Sequence, residues 1–122
     1  EPKLEGATWE VTGFNNGRQA VTSPLADTTL TLAFRDGRVS GHAGCNGFNA
    51  SYTRDGERLT IGRVATTRKA CAQKGVMEQE RQFVAALESV TTWAIDHGML
   101  DLHRADGERA LTAKRREPAP GS

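Results

Sequence analysis

The sequence predicts an α+β protein that is mainly β: a strongly curved antiparallel sheet or small barrel-like meander carrying one amphipathic helix over about residues 76–88. Three observations lead there. Short alternating runs are punctuated by Asp36-Gly37, Asp55-Gly56, His97-Gly98 and Asp106-Gly107, pairs suited to the positive φ angles of tight hairpin turns. The runs stand too close together for the long crossovers that parallel strands require. One segment alone, from Val76 to Glu88, abandons the two-residue period for a helical one.

The first alternating run is Thr8-Trp9-Glu10-Val11, followed by Gly13, Asn15, Asn16 and Gly17. Asn16-Gly17 predicts a turn with a short return through Gln19-Ala20-Val21. Ser23-Pro24 interrupts the pattern and starts a loop. Thr29–Phe34 is the clearest strand, with Leu30, Leu32 and Phe34 directed to the core. Asp36-Gly37 turns it into Arg38–Gly41. Asp55-Gly56 joins Asn49–Arg54 to Arg58–Val64, where Leu59 and Ile61 point inward. His97-Gly98 joins Thr91–Asp96 to Met99–His103, and Asp106-Gly107 joins Leu100–Arg104 to Arg109–Lys114.

In the helical segment Val76, Met77, Phe83, Val84 and Leu87 recur on one side, with Glu78, Gln79, Arg81 and Gln82 between them. Gly75 is placed to cap its start, and acidic residues suit its first turn. This helix is expected to cover an opening of the sheet. Six of the seven aromatic residues, Trp9, Phe34, Phe48, Tyr52, Phe83 and Trp93, are expected mostly in the core rather than on a sugar-stacking platform.

With 122 residues the chain fits a single domain, with residues 1–6 as an N-terminal extension, 7–114 as the domain and 115–122 as a flexible tail or linker. Hydrophobic residues at 37% and charged residues at 25% are those of a folded globular protein rather than a disordered one. Sixteen Lys and Arg against fifteen Asp and Glu give a net charge of +1, and the basic residues are scattered among acidic ones. That balance is no nucleic-acid footprint. No apolar run reaches the length of a membrane span, and a monomer is expected.

Both cysteines and the lone tyrosine lie between Ser40 and Cys71. Gly41, Gly44 and Gly47 recur at every third position around Cys45-Asn46. Because the next elements read as strands, these glycines fit bends, bulges or close approaches of a curved sheet better than a phosphate loop. Asn46 reads as a turn cap. Cys45 and Cys71 leave three readings: a disulfide closing a loop of about 27 residues, contributing roughly 3–4 kcal/mol; a nucleophile assisted by His42, His97 or His103; or a metal set with His42, lacking a clear fourth ligand. Glu80, four residues after Val76 and three before Phe83, falls on the apolar face of the helix. A buried carboxylate there needs a partner, and Arg68 is the expected one. The alternative is a carboxylate at the edge of the stripe, reaching water.

Trp9, the run Gly41-x-x-Gly44-Cys45-Asn46-x-Phe48 with Tyr52, Leu59-x-Ile61, Thr67-Arg68-x-Ala70-Cys71, and Met77-Glu78-x-Glu80-x-x-Phe83 with Leu87 together resemble the META domain, also called HslJ-like. The resemblance runs from about Ala7 to Ala113. It departs from the usual pattern at Ala50, where family members often have glycine, and at Lys69, where they often have methionine. The resemblance implies that Cys45 and Cys71 pair, and that Gly41, Gly44, Asn46, Phe48, Tyr52, Thr67, Arg68 and Glu80 form a structural motif. It further implies an extracytoplasmic domain, periplasmic, secreted or lipid-anchored, of a bacterial envelope protein linked to stress or antibiotic tolerance. The expectation is a non-enzymatic module acting on an envelope protein or cell-wall component, with no catalytic residue, metal or cofactor assigned. A small-ligand carrier using the barrel interior is the alternative, and a cysteine-dependent enzyme a third.

Overall fold

The structure is a computed structural model and describes residues 3–17 and 20–116. Eight antiparallel strands close into a barrel: β1 (Thr8–Asn15), β3 (Leu30–Arg35), β4 (Arg38–Ala43), β5 (Gly47–Asp55), β6 (Arg58–Ile61), β8 (Val90–Asp96), β9 (Met99–Arg104) and β10 (Arg109–Arg115). Each pairs with its neighbour in this order, and β10 returns to β1 through Trp9↔Arg115, Val11↔Ala113 and Phe14↔Leu111. Closure removes the long free edges that an open curved sheet would expose. Two short strands are accessory: β2 (Val21–Thr22) pairs with β1, and β7 (Ala65–Thr66) pairs with β5.

The narrowest seam is β6–β8, where Arg58↔Thr92 is the sole paired position of the ladder, extended by the Trp93 N–H to the Glu57 carbonyl at 2.9 Å. The chain between these two strands supplies β7 and the helix α1 (Val76–Glu88). The helix therefore packs where the meander is interrupted. Its buried residues, Val76, Gln79, Glu80, Phe83, Ala86 and Leu87, make a stripe at three- and four-residue intervals. Phe83 meets Phe14 and Phe48 edge-on, with ring centroids 6.3 and 5.6 Å apart.

Turn chemistry sets the hairpins. Asp36 and Gly37 both have positive φ, 52° and 79°, as do His97 and Gly98, 54° and 79°, which two-residue hairpin turns demand. The other two expected turns differ in detail. Asp55 pairs with Arg58, so the tight turn is Gly56-Glu57, one residue later than the Asp-Gly pair suggested. Gly107 belongs to a longer link, in which the Arg104 N–H donates to the Glu108 carbonyl at 2.8 Å.

The run read as one strand from Arg58 to Val64 is two. After Ile61, the Gly62 N–H donates to the Ser51 carbonyl, and the chain shifts along β5 to pair again at Ala65 and Thr66. A bulge between Val11 and Gly13 resets the alternation of β1, which turns Phe14 inward.

Trp9, Leu30, Leu32, Phe34, Leu59, Leu100, Leu102 and Leu111 are essentially inaccessible and fill the barrel. Side chains occupy the space that an interior ligand would need, as is usual for a barrel of eight strands. Leu4 is fully buried too, its carbonyl accepting the Trp9 indole N–H at 3.1 Å, and Glu5 bridges to Phe34. Leu4 and Glu5, within the segment expected as an extension, are thus tied to the barrel. At the other end Arg115 still belongs to β10. The remainder of the expected tail, 117–122, and the Gln19 of the expected first return lie outside the described residues. Trp93 is the exception among the six aromatics: it is half-buried, donates its indole N–H to the Gly56 carbonyl and lies under the Arg54 guanidinium. No helix among the described residues is long and apolar enough to cross a membrane.

Candidate functional site

The residues singled out in the sequence converge on one end of the barrel. The β4–β5 turn carries Gly44, Cys45 and Asn46; the segment after β7 carries Thr67, Lys69 and Cys71; the helix contributes Glu80. Cys45 and Cys71 form a disulfide with Cα atoms 6.0 Å apart. The nucleophile and metal readings of these two sulfurs fall, because the bond consumes both thiols.

Asn46 is the hub. Its side-chain Oδ1 accepts the Thr67 hydroxyl at 2.9 Å and the Lys69 N–H at 2.7 Å, while Nδ2 donates to the Lys69 carbonyl at 3.2 Å and to Glu80 Oε2 at 2.8 Å. Its backbone N–H donates to Glu80 Oε1 at 2.9 Å. This is more than the turn cap expected of it: the side chain ties three segments distant in sequence. Every polar atom of the Asn46 amide is used, and no buried side-chain nitrogen or oxygen among the described residues lacks a partner.

Glu80 is buried at 7% exposure, which settles its place on the apolar face. Its partner is not Arg68. Both carboxylate oxygens are taken by Asn46, and Arg68 is exposed, in no ion pair with it. The physical reason is economy of desolvation. Two neutral donors, the backbone N–H and the side-chain amide of Asn46, satisfy the carboxylate without dehydrating a guanidinium as well.

Gln79 was not foreseen. It extends the same face of α1, its Oε1 accepting the Leu25 N–H at 2.7 Å and its Nε2 donating to the Thr28 hydroxyl, and so anchors the loop between β2 and β3. The signal was present, since Gln79 stands three residues after Val76 and four before Phe83. A polar residue simply does not register in a search for apolar periodicity.

Two glycines of the motif have distinct physical roles. A Cβ on Gly41 would stand 1.9 Å from the Thr31 carbonyl oxygen, so β3 crosses this point too closely for any side chain. Gly44 has φ +99° and faces the Gln79 amide. Phe48 packs on Phe83 beneath the helix. Tyr52 lies apart from the knot. Its ring stands edge-on to Phe34, and its hydroxyl donates to Glu5 Oε2 at 3.0 Å. Burial, and then the Glu5 carboxylate, push its phenol above the usual value of 10.0. His42 accepts the Gly44 N–H on Nδ1, His97 contacts Asp96 and His103 lies on β9, three separate places.

The arrangement defines a class: a small closed antiparallel barrel with a helix locked over it by a disulfide and an asparagine–glutamate clasp. The META domain model matches residues 2–117, and the chain belongs to that family. Among solved structures it is similar to a protein from Burkholderia xenovorans determined by NMR, at 23% identity with a TM-score of 0.76, covering 94% of this chain and 85% of that one. It is also similar to a DUF4847 family protein from Bacteroides vulgatus, at 15% identity and TM-score 0.63, covering 94% and 96%. These likenesses concern the fold. No curated protein matches the sequence.

Proposed function

We propose that this domain is a non-enzymatic extracytoplasmic module that binds or stabilises a component of the bacterial envelope and contributes to stress or antibiotic tolerance. The observation that carries the reading is the Asn46 hub. Asn46, Thr67 and Glu80 of the family motif are bonded to one another, leaving none of these three free as acid, base or nucleophile. A disulfide at the same point suits an oxidising compartment. The filled interior disfavours the carrier alternative and leaves the outer surface as the place where a partner would be met.

The test is fractionation of host cells producing the full-length precursor, with alkylation of free thiols before lysis, alongside drug-sensitivity measurements on a deletion strain. The reading expects the protein outside the cytoplasm, unalkylated at both cysteines, and a strain more sensitive to envelope stress. A cytoplasmic pool with both thiols alkylated would overturn it.

A further inference from the structure

Gly47 differs from its two companions. Its φ is not in the left-handed region, and an added Cβ would meet nothing closer than 3.6 Å, so neither backbone conformation nor crowding requires glycine there. It lies at the start of β5, opposite His42, and its carbonyl accepts the Thr67 N–H. Its missing side chain leaves an open floor in a groove that crosses the outside of β4, β5 and β7. Ser40, Asn49, Thr66 and Thr67 line this groove with hydroxyl and amide groups, and none of its lining residues carries a carboxylate.

Cations flank it. Arg63 precedes β7, and Arg68 and Lys69 follow Thr67 directly; all three are exposed and make no ion pair among the described residues. The backbone presenting Arg68 and Lys69 is held on both sides. Asn46 fixes Lys69 through its N–H and its carbonyl, and the disulfide fixes Cys71. Holding these residues still in the free protein lowers the ordering cost of engaging a partner.

We propose that this groove binds an anionic glycan chain, with Ser40, Asn49 and Thr66 meeting sugar hydroxyls and Arg63, Arg68 and Lys69 meeting its carboxylate groups. The groove lies on the face of the sheet, where the β4, β5 and β7 ladders already pair the backbone. An acidic peptide would find only the two-residue outer edge of β7 to extend, whereas hydroxyl and amide side chains suit a hydroxyl-rich ligand. The unpaired cations favour an acidic sugar over a neutral one. The inference rests on the reading of the domain as a binding module and names the ligand class for it.

The probe is a hexamer of galacturonic acid titrated into the intact chain, followed by amide chemical shifts. Neutral cellohexaose and a hexaglutamate peptide serve as comparisons. Shifts confined to residues 40–42, 47–49 and 63–69 are expected with the galacturonate alone. The Arg68→Glu/Lys69→Glu variant should weaken binding at least tenfold, and Gly47→Val should do so at low and high salt alike by filling the floor. Both charge changes are at exposed positions, so that variant keeps the test open if Gly47→Val folds poorly. Shifts elsewhere, no shifts, or equal binding of hexaglutamate would overturn the proposal. Such a result would reject the ligand class without touching the cell fractionation that decides the module reading.

Discussion

Glu80 and Asn46 are joined by a two-point clasp: Oε1 accepts the asparagine backbone N–H at 2.9 Å and Oε2 accepts its side-chain amide at 2.8 Å. One buried carboxylate thereby connects the β4–β5 turn to the helix, and through Asn46 to Thr67 and Lys69. A charged acceptor with two good donors is among the stronger buried arrangements. Removing either partner strands the other.

Glu80→Ala should therefore cost about 3 kcal/mol and lower the Tm by about 10 °C for a domain of this size. Asn46→Ala should cost at least as much, and the double variant less than the sum of the two, because both changes break one network. Arg68→Ala should stay within about 0.5 kcal/mol of the parent. Thermal unfolding followed by circular dichroism checks all four. A large loss from Arg68→Ala would mean that the guanidinium does share in the clasp.

Reduction of the Cys45–Cys71 bond, which spans a sequence separation of 26, should remove about 3.5 kcal/mol by freeing the unfolded chain. The Cys45→Ala/Cys71→Ala variant should match the reduced protein in urea unfolding. Because the Asn46 contacts remain, it should still fold at room temperature. Thiol counting on the untreated protein in denaturant should find none free, and two reactive thiols there would remove the staple.

Tyr52 is the single tyrosine of the chain, so ultraviolet titration reads one phenol. Burial, reinforced by Glu5, raises its pKa above 10.0 in the folded state. The folded protein thus holds this proton more tightly than the unfolded chain. The associated stability is complete below about pH 10 and is lost as pH rises through the folded value. The native titration should run above that of the urea-unfolded protein. Glu5→Gln should bring the two closer without merging them, since desolvation is the larger cause.

Gly41→Ala and Gly47→Ala should separate two glycines that look alike in sequence. At Gly41 the Cβ would collide with the Thr31 carbonyl, and a loss of at least about 3 kcal/mol is expected. At Gly47 the added methyl makes only an ordinary 3.6 Å contact with the Gly41 carbonyl, and the change should be neutral or stabilising by up to about 1 kcal/mol through the unfolded chain. Equal losses at both would refute the close approach of β3 as the cause.

The strand-and-turn grammar of this fold is local, and the sequence alone determined it. Alternation in Leu30–Phe34, the turns at Asp36-Gly37 and His97-Gly98, and the period of Val76–Glu88 depend on residues within a few positions of one another. The family motif was legible for the same reason, as was the place of Glu80 on the apolar face, because helical spacing fixes which face a residue occupies. Whether it is buried there or reaches water at the edge of the stripe was decided by the fold.

Only the tertiary structure decided what the local pattern leaves open. The closure of β10 on β1, the inward turn of Phe14 after its bulge and the burial of Leu4 depend on strands far apart in the chain. So does the partner of Glu80. Charge pointed to Arg68, but a carboxylate entering a dry interior is best met by donors that shed little water, and the fold brings Asn46 there. The same folding separates three evenly spaced glycines into a close approach, a left-handed turn and an open groove floor. Spacing in the sequence is common to all three, while the atoms standing opposite each one are set by the barrel.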